Sequence, residues 1–348
     1  MDKLQKPYIK ALDALRVIAI SAVVLVHITT RTIETTKDNL LGYPWTLFLN
    51  QIARFCVPLF FIVSGFGLEL NYDYHTGLWG YLKKRASKIL IPFIFWSAIY
   101  YLFIYNQNHD NFFWVLFTGN ASYQLYFIPT LFIFYLIFPF LHRIYNIIAN
   151  KWFFSFLLVI EIALTYKDYY ISEFTYPDPI HIALLSYIYF LIGMIVARNK
   201  EKIISIAGKL KYPLILGAAT SGFYLFWEGM TRYISTNNYL EFYSSWRLST
   251  LVFTITISAI MFYFLDTSNL SFEFSKKLSN LSFFVFFVHV IILENAWNHF
   301  GHNLFNFMSR NFWGKILFDP IFFAIVLSLS FFVAFIAHKI PYLKKITG

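Results

Sequence analysis

Charged residues and cysteine are both scarce in this sequence. Only 13% of its 348 residues are charged, against about a quarter in soluble globular proteins, while 58% are hydrophobic and 22% aromatic. This composition excludes a cytosolic globular enzyme. The single cysteine, Cys56, lies in an apolar stretch, so neither an intrachain disulfide nor a cysteine-based metal site is possible. The sequence also lacks a Walker loop, a dinucleotide-binding glycine pattern and a serine nucleophile elbow, and we predict no metal.

Long apolar stretches recur along the whole chain, and each can cross about 30 Å of hydrocarbon as a helix. They predict an all-α, polytopic membrane protein of about ten transmembrane helices, with residues 1–348 forming a single domain. The predicted spans are residues 12–30, 44–68, 87–105, 125–142, 152–168, 181–198, 211–228, 248–266, 279–297 and 314–338.

Lysine and arginine are distributed unevenly between the two sides of this predicted bundle. If the N-terminus is cytoplasmic, 20 of the 28 basic residues lie on the inner side, seven lie on the outer side, and Arg54 lies inside a span. Basic residues concentrate on the cytoplasmic side of membrane proteins, so we expect both termini to be cytoplasmic. Insertion topology and contact with membrane lipid then account for the net charge of +10, and we exclude nucleic acid as a partner.

Asp13, Arg16 and His27 lie on one stripe of the first predicted span. Asp13 and Arg16 share a face, and eleven steps of about 100° bring His27 within about 20° of Arg16. Eleven residues also separate these two side chains by about 16 Å along the helix. A long anionic ligand bound by the arginine could therefore reach the histidine. The structural alternatives are a topology-determining Arg16 paired with Asp13, and a helix–helix hydrogen bond made by His27.

Arg54 lies deep inside the second predicted span, four residues before Pro58. Ionisable side chains within a membrane face protein or water and are candidates for function. We predict that Pro58 kinks the span and that Ser64, Gly65 and Gly67 allow a neighbouring helix to approach closely.

A buried arginine also needs an acceptor. Glu69 and Glu161 are the candidate partners of Arg54, and a structural ion pair between helices is as consistent with the sequence as a catalytic role.

A basic cluster precedes the third span and consists of Lys83, Lys84, Arg85 and Lys88. Arginine forks and lysine charges bind phosphates, so this cluster is a candidate anion site. The alternative is a topology signal that binds anionic lipid.

Two further spans carry candidate residues. Gln124 and Tyr126 lie at the outer end of the fourth span, whose two prolines are typical of a helix that lines a cavity. His289 lies in the ninth span and is more typical of a core histidine than of a second catalytic one.

Taken together, these segments resemble the acyltransferase-3 family of integral-membrane acyltransferases. The matching elements cover nearly the whole chain in the family's order. They are the Arg16-to-His27 spacing and the segments PLFFIVSGF, ILIP after the basic cluster, YQLYFIPTLFIFYLIFPF, SYIYFLIGM and LSFFVFFVHVIILE. The resemblance is to the stand-alone O-acetyltransferases, which have no extracellular hydrolase-like domain.

The resemblance implies an enzyme of the bacterial plasma membrane that moves an acetyl group from cytoplasmic acetyl-CoA to a hydroxyl of a cell-surface, secreted or lipid-linked glycan. His27 would act as general base or as acyl-carrying nucleophile, and both possibilities stay open. The expected catalytic residues are His27, Asp13 and Arg54. The expected acetyl-CoA-binding residues are Arg16, Arg85, Lys88 and Lys84. The expected acceptor-binding residues are Gln124, Tyr126, Glu161 and His289.

Two positions depart from the family's pattern. Lys88 stands where the family usually has a second arginine, which keeps the charge but removes one bidentate phosphate fork. Gln124 and Tyr126 stand where histidine and tryptophan are common, which changes the acceptor pocket. The alternative function is a membrane transporter of a small solute or modified glycan, because kinked spans and buried charges also mark carriers.

Overall fold

The computed structural model describes residues 9–73, 76–105, 111–172, 178–268 and 273–340, and it agrees with the predicted all-α fold, since these segments contain no strand. The described residues form sixteen α-helices. They are α1 (Lys10–Thr35), α2 (Pro44–Ile52), α3 (Cys56–Asn71), α4 (Gly77–Ile99), α5 (Phe112–Thr118), α6 (Phe127–Arg143), α7 (Tyr145–Ile148), α8 (Lys151–Tyr166), α9 (Pro179–Leu184), α10 (Tyr187–Arg198), α11 (Lys200–Lys209), α12 (Lys211–Thr236), α13 (Leu248–Thr267), α14 (Glu273–Ala296), α15 (His302–Met308) and α16 (Phe312–Lys339).

Within the described residues, six helical segments are long and apolar enough to cross a membrane, so the chain is a multi-pass membrane protein. A seventh span arises if α11 and α12, which are bent by 80°, form one crossing. The six are Lys10–Thr35, Pro44–Asn71, Gly77–Ile104, Leu248–Thr267, Glu273–Met308 and Phe312–Lys339. Helices α6 and α10 are apolar but shorter.

The predicted total of ten spans and the cytoplasmic location of both termini stay predictions. Four residues of the charge count lie outside the described residues, namely Lys3, Lys6, Lys344 and Lys345.

Helices α3 and α10 pack with their backbones in contact. A Cβ atom on Gly65 would lie 2.1 Å from the carbonyl oxygen of Phe190, and one on Gly193 would lie 2.0 Å from the carbonyl oxygen of Ile62. Only glycine permits this approach, because any other side chain would overlap the neighbouring backbone. The predicted small-residue surface is thereby confirmed at Gly65. The backbone contact fixes the position of α3 relative to α10.

The second span is interrupted just before Pro58. Helix α2 ends at Ile52 and α3 begins at Cys56, with a turn over residues 53–55. In a continuous helix the proline ring would clash with the carbonyl group four residues earlier, which is that of Arg54. Pro58 therefore accounts for the turn, and the turn carries Arg54.

Candidate functional site

A cavity of about 1010 Å³ lies at one end of the bundle, which we call the cavity end. Helices α1, α3, α6 and α14 line it together with the segments around residues 168–185 and 232–246. The opposite end, which carries Arg16, Arg85 and Lys88, is called the basic end. Six of the polar and aromatic residues in the cavity wall are His27, Arg54, Tyr123, Gln124, Tyr126 and Trp246.

His27 is half-buried and lines this cavity. Its ring centroid lies 4.8 Å from that of Tyr123 and 5.3 Å from that of His289. Within the described residues, neither imidazole nitrogen of His27 has a hydrogen-bond partner. The two neighbouring rings hold the imidazole in place without using its nitrogens. Among the described residues no protein group therefore competes with a cavity ligand for these nitrogens, which leaves the imidazole available for proton transfer or nucleophilic attack.

His289 lies behind His27 and does not line the cavity. It is fully buried, and its Nδ1 lies 3.0 Å from the carbonyl oxygen of Val285 one turn earlier in α14. Its Nε2 has no hydrogen-bond partner among the described residues. The predicted contact of His289 with the acceptor has no support from this position, because His289 is a packing neighbour of His27.

Arg54 lines the cavity and is held by neutral oxygens. Its Nε and Nη2 donate to Oδ1 of Asn50 at 3.1 and 2.9 Å, and its Nη1 donates to the carbonyl oxygen of Tyr243 at 2.7 Å. Among the described residues it forms no ion pair. Its positive charge therefore stays uncompensated beside the cavity. The spacing of four residues between Asn50 and Arg54 in the sequence is the signal that could have identified this partner.

The prediction that Glu69 or Glu161 pairs with Arg54 was wrong. Glu69 accepts a hydrogen bond from Nε of Arg198 at 2.5 Å and lies 2.9 Å from Nδ1 of His142, so it joins α3, α6 and α10 at the basic end. Glu161 is buried on α8 and does not line the cavity, and its Oε2 has no partner within the described segments. The expected contact between Glu161 and an acceptor therefore has no support from its position.

Gln124 and Tyr126 both line the cavity. The Ser122 hydroxyl donates to Oε1 of Gln124 at 2.6 Å. The ring of Tyr126 lies 6.1 Å from that of Trp246, whose indole N–H donates to the Ser186 hydroxyl at 2.9 Å. These contacts orient an amide and two aromatic rings toward one space.

The cavity wall also carries pairs of titratable side chains that were not among the predicted site residues. They are Arg31 with Glu34 at 3.5 Å and Glu294 at 3.4 Å, Arg232 with Glu241 at 2.7 Å, and His181 with Asp168 at 2.6 Å. Arg31 and Glu34 follow His27 by four and seven residues on α1, so the helical period could have identified them. The other pairs join segments that are distant in sequence or outside the long apolar runs.

Arg16 and Asp13 form an ion pair of 3.1 Å at the basic end. The Ser279 hydroxyl donates to the same Asp13 oxygen at 2.8 Å. Gly67 faces the arginine, since a Cβ there would lie 3.4 Å from Nη2 of Arg16. Asp13 precedes His27 by fourteen residues of one helix, about 21 Å, and it does not line the cavity. The structure therefore brings Asp13 together with Arg16 rather than with His27.

Arg85 shares this end of the bundle with Arg16. Its guanidinium carbon lies 5.8 Å from the ring centroid of Tyr135, and both arginines interact electrostatically with the Tyr135 hydroxyl. Lys84 and Lys88 are exposed on the adjacent surface of α4. Two guanidinium groups and two ammonium groups therefore cluster where a polyphosphate could bind.

Comparison with known proteins adds two findings. The acyltransferase-3 family profile, described as an acyltransferase domain, matches residues 9–338. A protein of Bacillus subtilis (strain 168), YfiQ, which is named as a candidate membrane-bound acyltransferase, is 26% identical over 163 residues. The match covers 44% of this chain and 45% of the relative, so less than half the length of that relative is spanned. No solved structure matches the chain.

Proposed function

The chain belongs to the acyltransferase-3 family, and we propose that it is an O-acetyltransferase of the bacterial plasma membrane. Acetyl-CoA binds at the basic end, and the acetyl group passes to a hydroxyl of a cell-surface, secreted or lipid-linked glycan in the cavity. The observation that carries this proposal is the imidazole of His27, which lines a large cavity with both nitrogens free of hydrogen bonds among the described residues.

The residues at the basic end fit the phosphates of acetyl-CoA. Arg16 and Arg85 supply planar forks for phosphate oxygens, and Lys84 and Lys88 add positive charge. The side chain of Arg16 is 38% exposed, and the missing side chain at Gly67 leaves room beside it. In this proposal Asp13 is a positioning residue that orients Arg16.

His27 performs the proton transfer in the proposed reaction. Its imidazole accepts the proton of the acceptor hydroxyl while that oxygen attacks the thioester carbonyl carbon. The C–S bond then breaks, and the imidazolium returns the proton to the leaving thiolate. Transfer through an acetylated His27 is the alternative, and trapping of an acetyl-histidine would identify it. Arg54 stabilises the negative charge on the carbonyl oxygen of the tetrahedral intermediate.

The cavity wall supports an uncharged sugar as the acceptor. Arg31 pairs with both Glu34 and Glu294, and Arg232 pairs with Glu241. Arg54 is then the one arginine of the described wall without a carboxylate partner, so the wall as a whole offers an anionic polymer little net attraction. Tyr126 and Trp246 supply apolar faces for a sugar ring, and Gln124 supplies an amide for its hydroxyls.

The test is acetyl-CoA binding and thioester cleavage by the purified protein in detergent. His27→Ala is expected to reduce turnover about 10²- to 10⁴-fold while the affinity for acetyl-CoA is retained, because the imidazole acts on the reaction and not on the phosphates. Arg85→Ala is expected to weaken acetyl-CoA binding about tenfold. His299→Ala is the matched control, since His299 is exposed and does not line the cavity.

Two results would contradict the proposal. Full turnover by His27→Ala would show that His27 does not perform the proposed proton transfer. A wild-type protein that binds no acetyl-CoA would favour the transporter, and uptake assays in vesicles would then be decisive.

A further inference from the structure

Four helices run from the floor of the cavity to the basic end, namely α1, α3, α6 and α14. The floor residues that they contribute are Val23, Phe60, Phe127 and Phe286. The residues that the same helices contribute near the basic end are Arg16, Gly67, Tyr135 and Ser279. In every helix the two positions are seven or eight residues apart, which is about 10–12 Å. The cavity floor is therefore a layer at one depth, two turns from the cluster that includes Arg16.

The layer is closed by aromatic rings that meet at Phe127. Its ring centroid lies 5.7 Å from that of Phe60, 5.1 Å from that of Phe61 and 5.7 Å from that of Phe286. These distances are those of aromatic pairs in contact. Phe127 is 7% exposed, so its edge borders the cavity and the rest of the ring is packed between α3 and α14.

The barrier is about one helical turn thick on α1 and α6. Ile20 and Leu131, which lie next below the floor on these helices, are buried. Ser64 and Gly67 of α3 are half-buried, one and two turns below Phe60. Polar and small residues thus extend from the basic end nearly to the aromatic layer, and the free imidazole of His27 lies beyond it.

We infer that the ring of Phe127 is a barrier that the acyl donor displaces to reach His27. This inference rests on the proposed function, because it concerns the path between the proposed donor site and the cavity. Phe127 is a positioning residue with two effects. The closed ring lowers the apparent affinity for acetyl-CoA, since only the open fraction of the protein binds the donor fully. It also keeps water in the cavity away from the thioester.

Shortening this side chain should therefore increase two measured quantities. Phe127→Leu is expected to lower the dissociation constant of acetyl-CoA by about three- to tenfold, because less of the binding free energy is used to open the layer. It is also expected to raise acetyl-CoA hydrolysis without acceptor by about tenfold, since water reaches the carbonyl carbon more often. In that hydrolysis the C–S bond breaks, and the products are acetate and the thiol of CoA. A purely structural role would change neither quantity in this direction.

The experiment compares detergent-purified variants by calorimetric titration with acetyl-CoA and by release of the CoA thiol, with no glycan present. Phe134→Leu is the matched control. Phe134 lies two turns further along α6, is 1% exposed, stacks on Phe190 at 4.8 Å and does not line the cavity. It contacts Phe61 at 5.3 Å, so its replacement loosens packing beside the layer while the Phe127 ring stays in place. Size-exclusion chromatography establishes that each variant is folded. Phe60→Leu removes the opposite side of the same contact and replaces Phe127→Leu if that variant does not fold.

Tighter donor binding and faster hydrolysis in Phe127→Leu or Phe60→Leu, but not in Phe134→Leu, would support the inference. Folded variants with donor affinity and hydrolysis equal to or below those of Phe134→Leu would overturn it while leaving the proposed function intact. A wild-type protein that neither binds acetyl-CoA nor releases its thiol would overturn the proposed function, and this inference with it.

Discussion

Arg54 is a cation held near a membrane interior by neutral partners. The Asn50 side chain and the Tyr243 carbonyl accept its N–H groups, which avoids the cost of unsatisfied donors but leaves the charge in place. The Tyr243 hydroxyl in turn donates to Glu34 at 3.1 Å. The pKa of Tyr243 lies above its usual value because its hydroxyl is buried and next to the Glu34 carboxylate, so this donor stays protonated. Such an arrangement orients the charge on Arg54 without neutralising it.

Replacement of Arg54 by lysine tests whether orientation or charge alone matters. Arg54→Lys keeps the charge but loses the planar fork that binds Asn50. We expect the kcat for acetyl transfer to fall about 10²-fold, as when a donor to an oxyanion is lost, with the KM for acetyl-CoA little changed. Steady-state kinetics measure both, and Arg310→Lys at an exposed site is the control. An unchanged kcat would assign Arg54 to structure only.

At the scale of single elements, the close packing of α3 against α10 determines the position of α3. Gly65 and Gly193 allow the two backbones to touch, and Phe60 and Gly67 lie on the same α3. A change in the distance between α3 and α10 would therefore displace both the cavity floor and the surroundings of Arg16. Pro58 acts on the same helix, since its ring accounts for the turn that carries Arg54.

Gly193→Ala is expected to destabilise the protein by about 1–3 kcal/mol or more, because its methyl group would lie 2.0 Å from the Ile62 carbonyl oxygen and the backbones must separate. Thermal unfolding in detergent measures the change. Gly217→Ala is the matched control, since a Cβ there would meet only the Thr256 methyl group at an ordinary 3.4 Å. There we expect no loss, or a gain of up to about 1 kcal/mol from helix propensity. Equal stability of the two variants would mean that α3 and α10 can move apart at no cost.

At the scale of the whole molecule, the two ends of the bundle differ in charge. Arg16, Arg85, Lys84 and Lys88 cluster at the basic end, whereas the arginine–carboxylate pairs at the cavity end largely cancel. From the positive-inside rule we expect the basic end to face the cytoplasm, on the side where the proposed donor acetyl-CoA would be available, and the cavity to face the outer side.

Single cysteines test this orientation in intact cells. Cys56 is the only cysteine, so Cys56→Ser provides a background for Lys88→Cys at the basic end and Thr236→Cys at the cavity end, both exposed positions. We expect a membrane-impermeant maleimide to label position 236 directly, and position 88 only after the membrane is permeabilised. The reverse pattern would place the proposed donor site on the wrong side for acetyl-CoA.

Much of the candidate site could be predicted from the spacing of residues along a single helix. The spacing of Arg16 and His27 predicts that they lie on one stripe, and the structure places one at the basic end and the other in the cavity. The same local reasoning applies to Gly65 as a contact residue and to Pro58 as the cause of a turn. These inferences hold because the helical period and the proline ring depend only on neighbouring residues.

The sequence by itself determined a multi-pass helical membrane protein of the acyltransferase-3 family, because span length and motif order are properties of the chain alone. Only the tertiary structure decided that Arg54 binds the Tyr243 carbonyl, that Glu69 binds Arg198, and that Glu161 and His289 lie outside the cavity wall. The aromatic layer around Phe127 is likewise a feature that only the tertiary structure decided. The helical period determines the face of its own helix on which a residue lies. Which other helix packs against that face is decided only by the tertiary structure.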